Sequence, residues 1–107
     1  MKIAIVTGAA QGIGRRTAEV LAEAGYRLLL MDMQACTGTV AAIRQSGVEV
    51  EEVLGDISDE AVVARAVKVV RQRWGRADVL VNTDFRSARE VALQVLHQFH
   101  MAHAVAR

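Results

Sequence analysis

Proline is absent from this chain, and cysteine, tyrosine and tryptophan occur once each. A single cysteine, Cys36, rules out an internal disulfide and suits a reducing compartment. Neither sign of charge dominates: 13 Lys and Arg against 12 Asp and Glu leave a formal charge of +1. That balance gives no footprint for nucleic acid or an anionic membrane, so neither is expected as a partner. No apolar run approaches the ~20 residues of a membrane span. The first strand starts at Lys2, leaving no room for a signal peptide, and a cytoplasmic protein is expected. Lysine occurs only as Lys2 and Lys68, and the lone tyrosine, Tyr26, is followed four residues later by Leu30. Ser46, Ser58 and Ser87 have no His and Asp partners at recognisable spacing, so nucleophilic catalysis has no support.

What is present is apolar and alternating. With 52% hydrophobic and 23% charged residues, the 107-residue chain reads as one globular domain. Such a length buries roughly two thirds of the unfolded surface. Ile3-Ala4-Ile5-Val6 predicts a first strand, and a helix follows with Ile13, Thr17, Val20, Leu21 and Ala24 at helical spacing, closed by Gly25. Arg27–Met31 is a second strand, a continuous apolar run suited to burial on both faces, and it stops at Asp32. A helix over about Ala35–Gln45 contains Gly38, which disfavours it by about 1 kcal/mol against Ala. Val48–Leu54 forms a third strand whose acidic residues suit a sheet edge. After the turn Gly55-Asp56-Ile57-Ser58, capped by Ser58 or Asp59, Val63, Val67, Val70 and Trp74 mark a buried helical stripe. Asp78–Asn82 is a fourth strand, and Ser87–Ala106 is helical, with Ala88, Val91, Val95, Phe99 and Ala102 on one face. Alternating strands and helices joined by short turns imply a parallel sheet with right-handed crossovers.

The stretch that organises the chain is Thr7-Gly8-Ala9-Ala10-Gln11-Gly12-Ile13-Gly14, between the first strand and the first helix. Gly8 permits a tight turn, Gly12 lets the backbone approach a pyrophosphate, and Gly14 lets helix and strand pack closely. The unpaired N–H groups of the first helical turn then face the anion. The preceding strand, the following helix and Asp32 downstream give the motif its specificity.

With these residues the sequence resembles the short-chain dehydrogenase/reductase family over Met1 to about Asn82. Thr7-Gly8-x-x-x-Gly12-Ile13-Gly14 resembles its cofactor loop, and Gly55-Asp56-Ile57-Ser58-Asp59 its adenine-contacting segment. Trp74-Gly75-Arg76-Ala77-Asp78-Val79-Leu80-Val81-Asn82 resembles the approach to its Asn-Asn-Ala-Gly motif. The resemblance implies a Rossmann-like, doubly wound α/β fold of about four parallel strands in order 3-2-1-4, with helices on both faces. It also implies binding of NAD(H) or NADP(H) and hydride transfer to or from a carbonyl or alcohol. Gly8, Gly12 and Gly14 would hold the pyrophosphate, with a backbone contact from Ile13. Asp32, which lies 18 residues past Gly14, would accept both ribose hydroxyls and repel a 2′-phosphate. Gln11 and Met33 stand where NADP-preferring members tend to carry a basic residue, so NAD is expected over NADP; Arg15 and Arg16 read as solvated first-turn arginines. Asp56 would meet the adenine amino group, Ile57 its ring face, and Asn82 the nicotinamide-side ribose.

After Asn82 the pattern departs, with Thr83-Asp84-Phe85 where the family continues Asn-Ala-Gly. Residues 83–107 are expected to form a divergent terminal helix on the family-like part, 1–82, within a single domain. The family's catalytic pair is Tyr-x-x-x-Lys, in which Lys lowers the Tyr pKa, with a Ser one strand earlier. No Tyr–Lys pair at that spacing exists here, so no catalytic residue is assigned. Two readings follow: the NAD(P)-binding portion of such an oxidoreductase, not catalytic as this truncated chain, or a non-catalytic nucleotide-binding or dimerisation module. His97, His100 and His103 recur at i+3, a spacing better suited to a solvated face or subunit contact than to a metal site, and none is expected. Cys36 reads as a small apolar filler. Asp56, Asp59 and Glu60 read as turn and first-turn acids opposing the helix dipole. With no proline or lysine in 78–82, that strand is expected to be an exposed edge, giving a homodimer through it or the terminal helix.

Overall fold

The computed structural model describes residues 2–83, Val95, Phe99 and the backbone of 102–105. Every residue of the first apolar run, β1 (Ile3–Thr7), is buried, because it is covered on both faces. The chain continues through α1 (Gly12–Glu23), β2 (Arg27–Asp32), α2 (Thr37–Gln45), β3 (Val50–Leu54), α3 (Glu60–Arg73), β4 (Val79–Asn82) and β5 (Ala102–Val105). The strands form one parallel sheet in the order β3-β2-β1-β4-β5. The period of two along a strand divides the core. Ile3, Ile5, Leu29, Met31 and Leu80 pack with Val63, Val67 and Val70 of α3, whereas Ala4, Val6, Leu28 and Leu30 pack with Ala18 and Ala22 of α1 and Ile43 of α2. This is a doubly wound Rossmann-type fold whose first four strands run 3-2-1-4, with β3 at an edge. There Glu49 accepts from Arg27 and Arg73 at 2.9 and 3.1 Å, and Glu51 accepts from Arg73 at 2.9 Å.

The buried face of α1 is built from small residues. Gly14, Ala18 and Ala22 face the sheet, whereas Ile13 is 57% and Val20 46% exposed. Small residues four apart bring the helix close to the strands, and the larger apolar side chains are left outside. α2 begins at Thr37 rather than Ala35, and a Cβ on Gly38 would lie 2.8 Å from Nη1 at the flexible end of the Arg15 side chain on the neighbouring helix.

The largest difference is β5. Ala102–Val105 pair with β4, from Val79 opposite Ala102 to Asn82 opposite Val105. A helix reaching Ala106 is therefore corrected, since Ala102 and His103 belong to a strand. The expected open edge at 78–82 is corrected too: an apolar strand with unpaired N–H and C=O groups finds its partner within the chain, leaving no free backbone for a dimer there. Val95 and Phe99 are buried on the α3 side, with the Phe99 N–H donating to Val95 O at 3.1 Å. Ala88, Val91, His97, His100 and the terminal-helix dimer contact lie outside the described residues. No helix among the described residues is long and apolar enough to cross a membrane.

Candidate functional site

The glycine-rich segment lies where β1 ends and α1 begins, in the position the strand-turn-helix sequence requires. Gly8 and Gly12 adopt positive φ, 67° and 61°, which only glycine occupies without strain. Gly14 answers a different demand, because a Cβ on it would stand 1.9 Å from Gly8 O. Gly12 has open space: nothing lies within 4 Å of where its Cβ would be. The helix behind it starts uncapped. Gln11 at its N-cap makes no side-chain cap bond, and the first turn holds no acidic residue. α3 differs on both points, with Asp59 accepting from Ala61 N and Glu60 in its first turn. The N-terminus of α1 thus keeps its partial positive charge directed at an open, Cβ-free surface, which suits an anion.

The loop is held from three sides. From β2, Met31 O accepts from Gly8 N and Ala9 N at 2.8 and 3.3 Å, and Asp32 Oδ2 accepts from Ala10 N at 3.0 Å. From α2, the buried Thr39 hydroxyl donates to Ala9 O at 2.7 Å. From the end of β4, Thr83 Oγ1 donates to Thr7 O, while Thr83 N donates to Thr7 Oγ1 at 3.1 Å. Thr7 Oγ1 in turn donates to Asn82 Oδ1 at 2.9 Å, and both residues are fully buried. The sequence had singled out Asn82 but none of these three hydroxyls. Nothing in the local pattern separates them from ordinary threonines, and their partners lie 30 or more residues away.

Asp32 is half-buried at the end of β2, with Oδ1 accepting from Gln34 N at 2.9 Å. A carboxylate has about four acceptor positions, so lone pairs remain for a further donor. Beside it Met33 is 65% exposed, and Leu54, the register partner of Asp32 on β3, is 43% exposed. Asp56 is exposed and accepts from Ser58 N and Oγ at 2.9 and 2.7 Å, closing its own turn. Ile57 is buried in the core with Val62 and Val63. Gln11 and Ile13 are exposed at the loop and the first turn of α1.

Cys36, just before α2, is buried, and its N–H donates to Glu52 Oε2 at 3.0 Å. Burial first, then the charges of Asp32 and Glu52 and a hydrogen bond to Glu52, push its thiol up to about 12. It stays protonated and is not a nucleophile.

Known proteins are similar in sequence and in fold. The model of the short chain dehydrogenase family matches residues 2–94. A 1,6-dihydroxycyclohexa-2,4-diene-1-carboxylate dehydrogenase from Pseudomonas putida is 41% identical over 81 residues, covering 76% of this chain and 30% of its own. L-sorbose reductase from Gluconobacter frateurii, solved with NADPH and L-sorbose, superposes with a TM-score of 0.83 at 24% identity, over 95% of this chain and 51% of its own. Carveol dehydrogenase from Mycobacterium avium, solved with NAD, gives 0.71 at 23% identity, over 75% of this chain and 34% of its own. The chain spans about a third of the length of the curated relatives it matches. With the glycine-rich turn, the 3-2-1-4 strand order and a family match over most of its residues, the chain belongs to the short-chain dehydrogenase family.

Proposed function

We propose that these residues bind a nicotinamide dinucleotide, NAD in preference to NADP, as the cofactor-binding portion of an oxidoreductase that moves hydride between the cofactor and a carbonyl or alcohol. The observation that carries this is the uncapped N-terminus of α1 behind an open Gly12, with the loop tied to Asp32 through Ala10. Gly8, Gly12 and Gly14 shape the pyrophosphate cradle, and Ile13 adds a backbone donor. Asp32 offers its remaining lone pairs to the ribose hydroxyls and opposes a 2′-phosphate, with Gln11 and Met33 supplying no compensating cation. Asp56 lies toward the adenine side and Asn82 toward the nicotinamide side. When bound, the nicotinamide supplies or accepts the hydride. The free, buried Cys36 supports a reducing, cytoplasmic setting.

A second reading is a nucleotide-binding or dimerisation module that binds without turnover. Calorimetric titration tests both. NAD should bind, ADP should compete nearly as well, and NADP should bind more weakly. Asp32→Ala should weaken NAD by about 1–3 kcal/mol, the range for charge-assisted hydrogen bonds, and narrow the NAD/NADP difference. No heat with either NAD or ADP would defeat the binding site, and an unchanged NAD/NADP ratio in Asp32→Ala would remove Asp32 from the ribose. NADH formation from an alcohol, lost in a Gly14→Trp control, would defeat the second reading.

A further inference from the structure

We infer that Thr83 is a positioning residue for the anion-binding loop, setting how well the loop and the α1 N-terminus receive a pyrophosphate. The inference rests on the dinucleotide reading above and adds a residue from outside the glycine motif, directly after the end of β4. Three observations converge on one side chain. Thr83 Oγ1 lies 2.2 Å from where a Cβ on Gly8 would be and 2.8 Å from where one on Gly14 would be, so it fills the corner that both glycines leave open. The same oxygen donates to Thr7 O, the carbonyl at the mouth of the loop. The Thr83 N–H donates to Thr7 Oγ1 at 3.1 Å, so residue 83 grips residue 7 through backbone and side chain together.

The effect on an anion follows from charge and geometry. A free carbonyl oxygen at the entry of the loop would oppose a phosphate, and a hydroxyl donor on Thr7 O offsets that partial negative charge. Fixing the Thr7–Gly8 peptide also directs the Gly8 N–H to Met31 O at 2.8 Å. Gly8 O in turn lies against Gly14, so the clamp fixes the entry of the loop against the first turn of the helix. Loss of the hydroxyl frees the loop to drift, and the phosphates are the part of the ligand that would register it. Adenosine, held from Asp32 and the β3 side, would not.

The test uses the full chain with ADP and adenosine as separate calorimetric probes, and thermal melts alongside. Thr83→Val keeps the branched shape without the donor and should weaken ADP about five- to tenfold, the scale of one hydrogen bond. Adenosine should stay within twofold, and Thr83→Ser, which restores the donor, should return ADP to within twofold of wild type. Unchanged ADP affinity in Thr83→Val overturns the inference. Equal loss of ADP and adenosine with a lowered melting temperature also overturns it, because that is a structural role alone. A wild-type chain that binds neither probe defeats the dinucleotide reading, and the inference with it.

Discussion

At the scale of single residues, two kinds of information differ in how far the sequence exposes them. The glycines carry theirs openly, because positive φ at Gly8 and Gly12 and the close approach at Gly14 exclude almost every other residue. The hydroxyls of Thr7, Thr39 and Thr83 do not, since their partners are brought together only by the fold. Ile57 is a different case: its place in the motif is legible, but its burial depends on how the turn packs on α3. Cys36 yields a prediction at this scale. Its native thiol holds its proton up to about 12, whereas an unfolded thiol ionises near the ordinary value of 9.0. The folded state then binds more protons than the unfolded state between those values, so the contribution to stability is intact below pH 9 and is lost as pH rises toward 12. The slope grows through pH 9.0 and approaches about 1.4 kcal/mol per pH unit above it. Urea melts at pH 8, 9.5 and 10.5 should show wild type falling relative to Cys36→Ala by that slope. Parallel profiles would mean that the thiol is not shielded.

At the scale of elements, α1 and α2 illustrate why amphipathic spacing identifies a helix more easily than its buried face. Ile13, Val20 and Leu21 have the right period, yet the packing is made by Gly14, Ala18 and Ala22, whose small side chains carry little hydrophobic signal. The two glycines at the helix starts should respond in opposite ways to a methyl group. In Gly14→Ala the added carbon meets a backbone carbonyl that cannot give, and a loss of about 1–3 kcal/mol or more is expected from overpacking. In Gly38→Ala it meets only the end of the Arg15 side chain, which is 43% exposed and paired with Glu19 at 3.4 Å. That arginine can swing aside at little cost, because surface pairs of this type contribute little. The gain in helix propensity, up to about 1 kcal/mol, should then raise the melting temperature. Thermal melts of the two variants check this, and a destabilised Gly38→Ala would show that the Arg15 contact matters more than its exposure suggests.

At the scale of the molecule, β4 is interior to the sheet where the sequence suggests an edge. The segment Ala102-His103-Ala104-Val105 is too short to separate strand from helix by periodicity, and small residues with one histidine fit both. Pairing with β4 decides it. Leu80 is then interior, fully buried, with Ile5 opposite on β1 and His103 opposite on β5. Leu80→Lys should therefore abolish cooperative folding instead of dissociating an oligomer. Even truncation of such a side chain to Ala removes about 2–5 kcal/mol, and a buried ammonium adds its desolvation. A circular-dichroism melt combined with sedimentation separates the outcomes: a folded Leu80→Lys chain that sediments more slowly than wild type would restore the open edge.

The central place of β1 also bears on how the chain acquires its shape. Its first neighbour, β2, follows after one short crossover, but its second, β4, comes only at Val79–Asn82; Ile3 N donates to Asp78 Oδ2 across 75 positions. Strands β1 to β3 with α1 and α2 can assemble from local contacts as they leave the ribosome, while the other flank of β1 waits for β4 to be synthesised. Closing so long a segment of chain is slow compared with local pairing. During that interval an apolar strand at the centre of the finished molecule stands uncovered, and it is then that the chain is most exposed to chaperones and to aggregation.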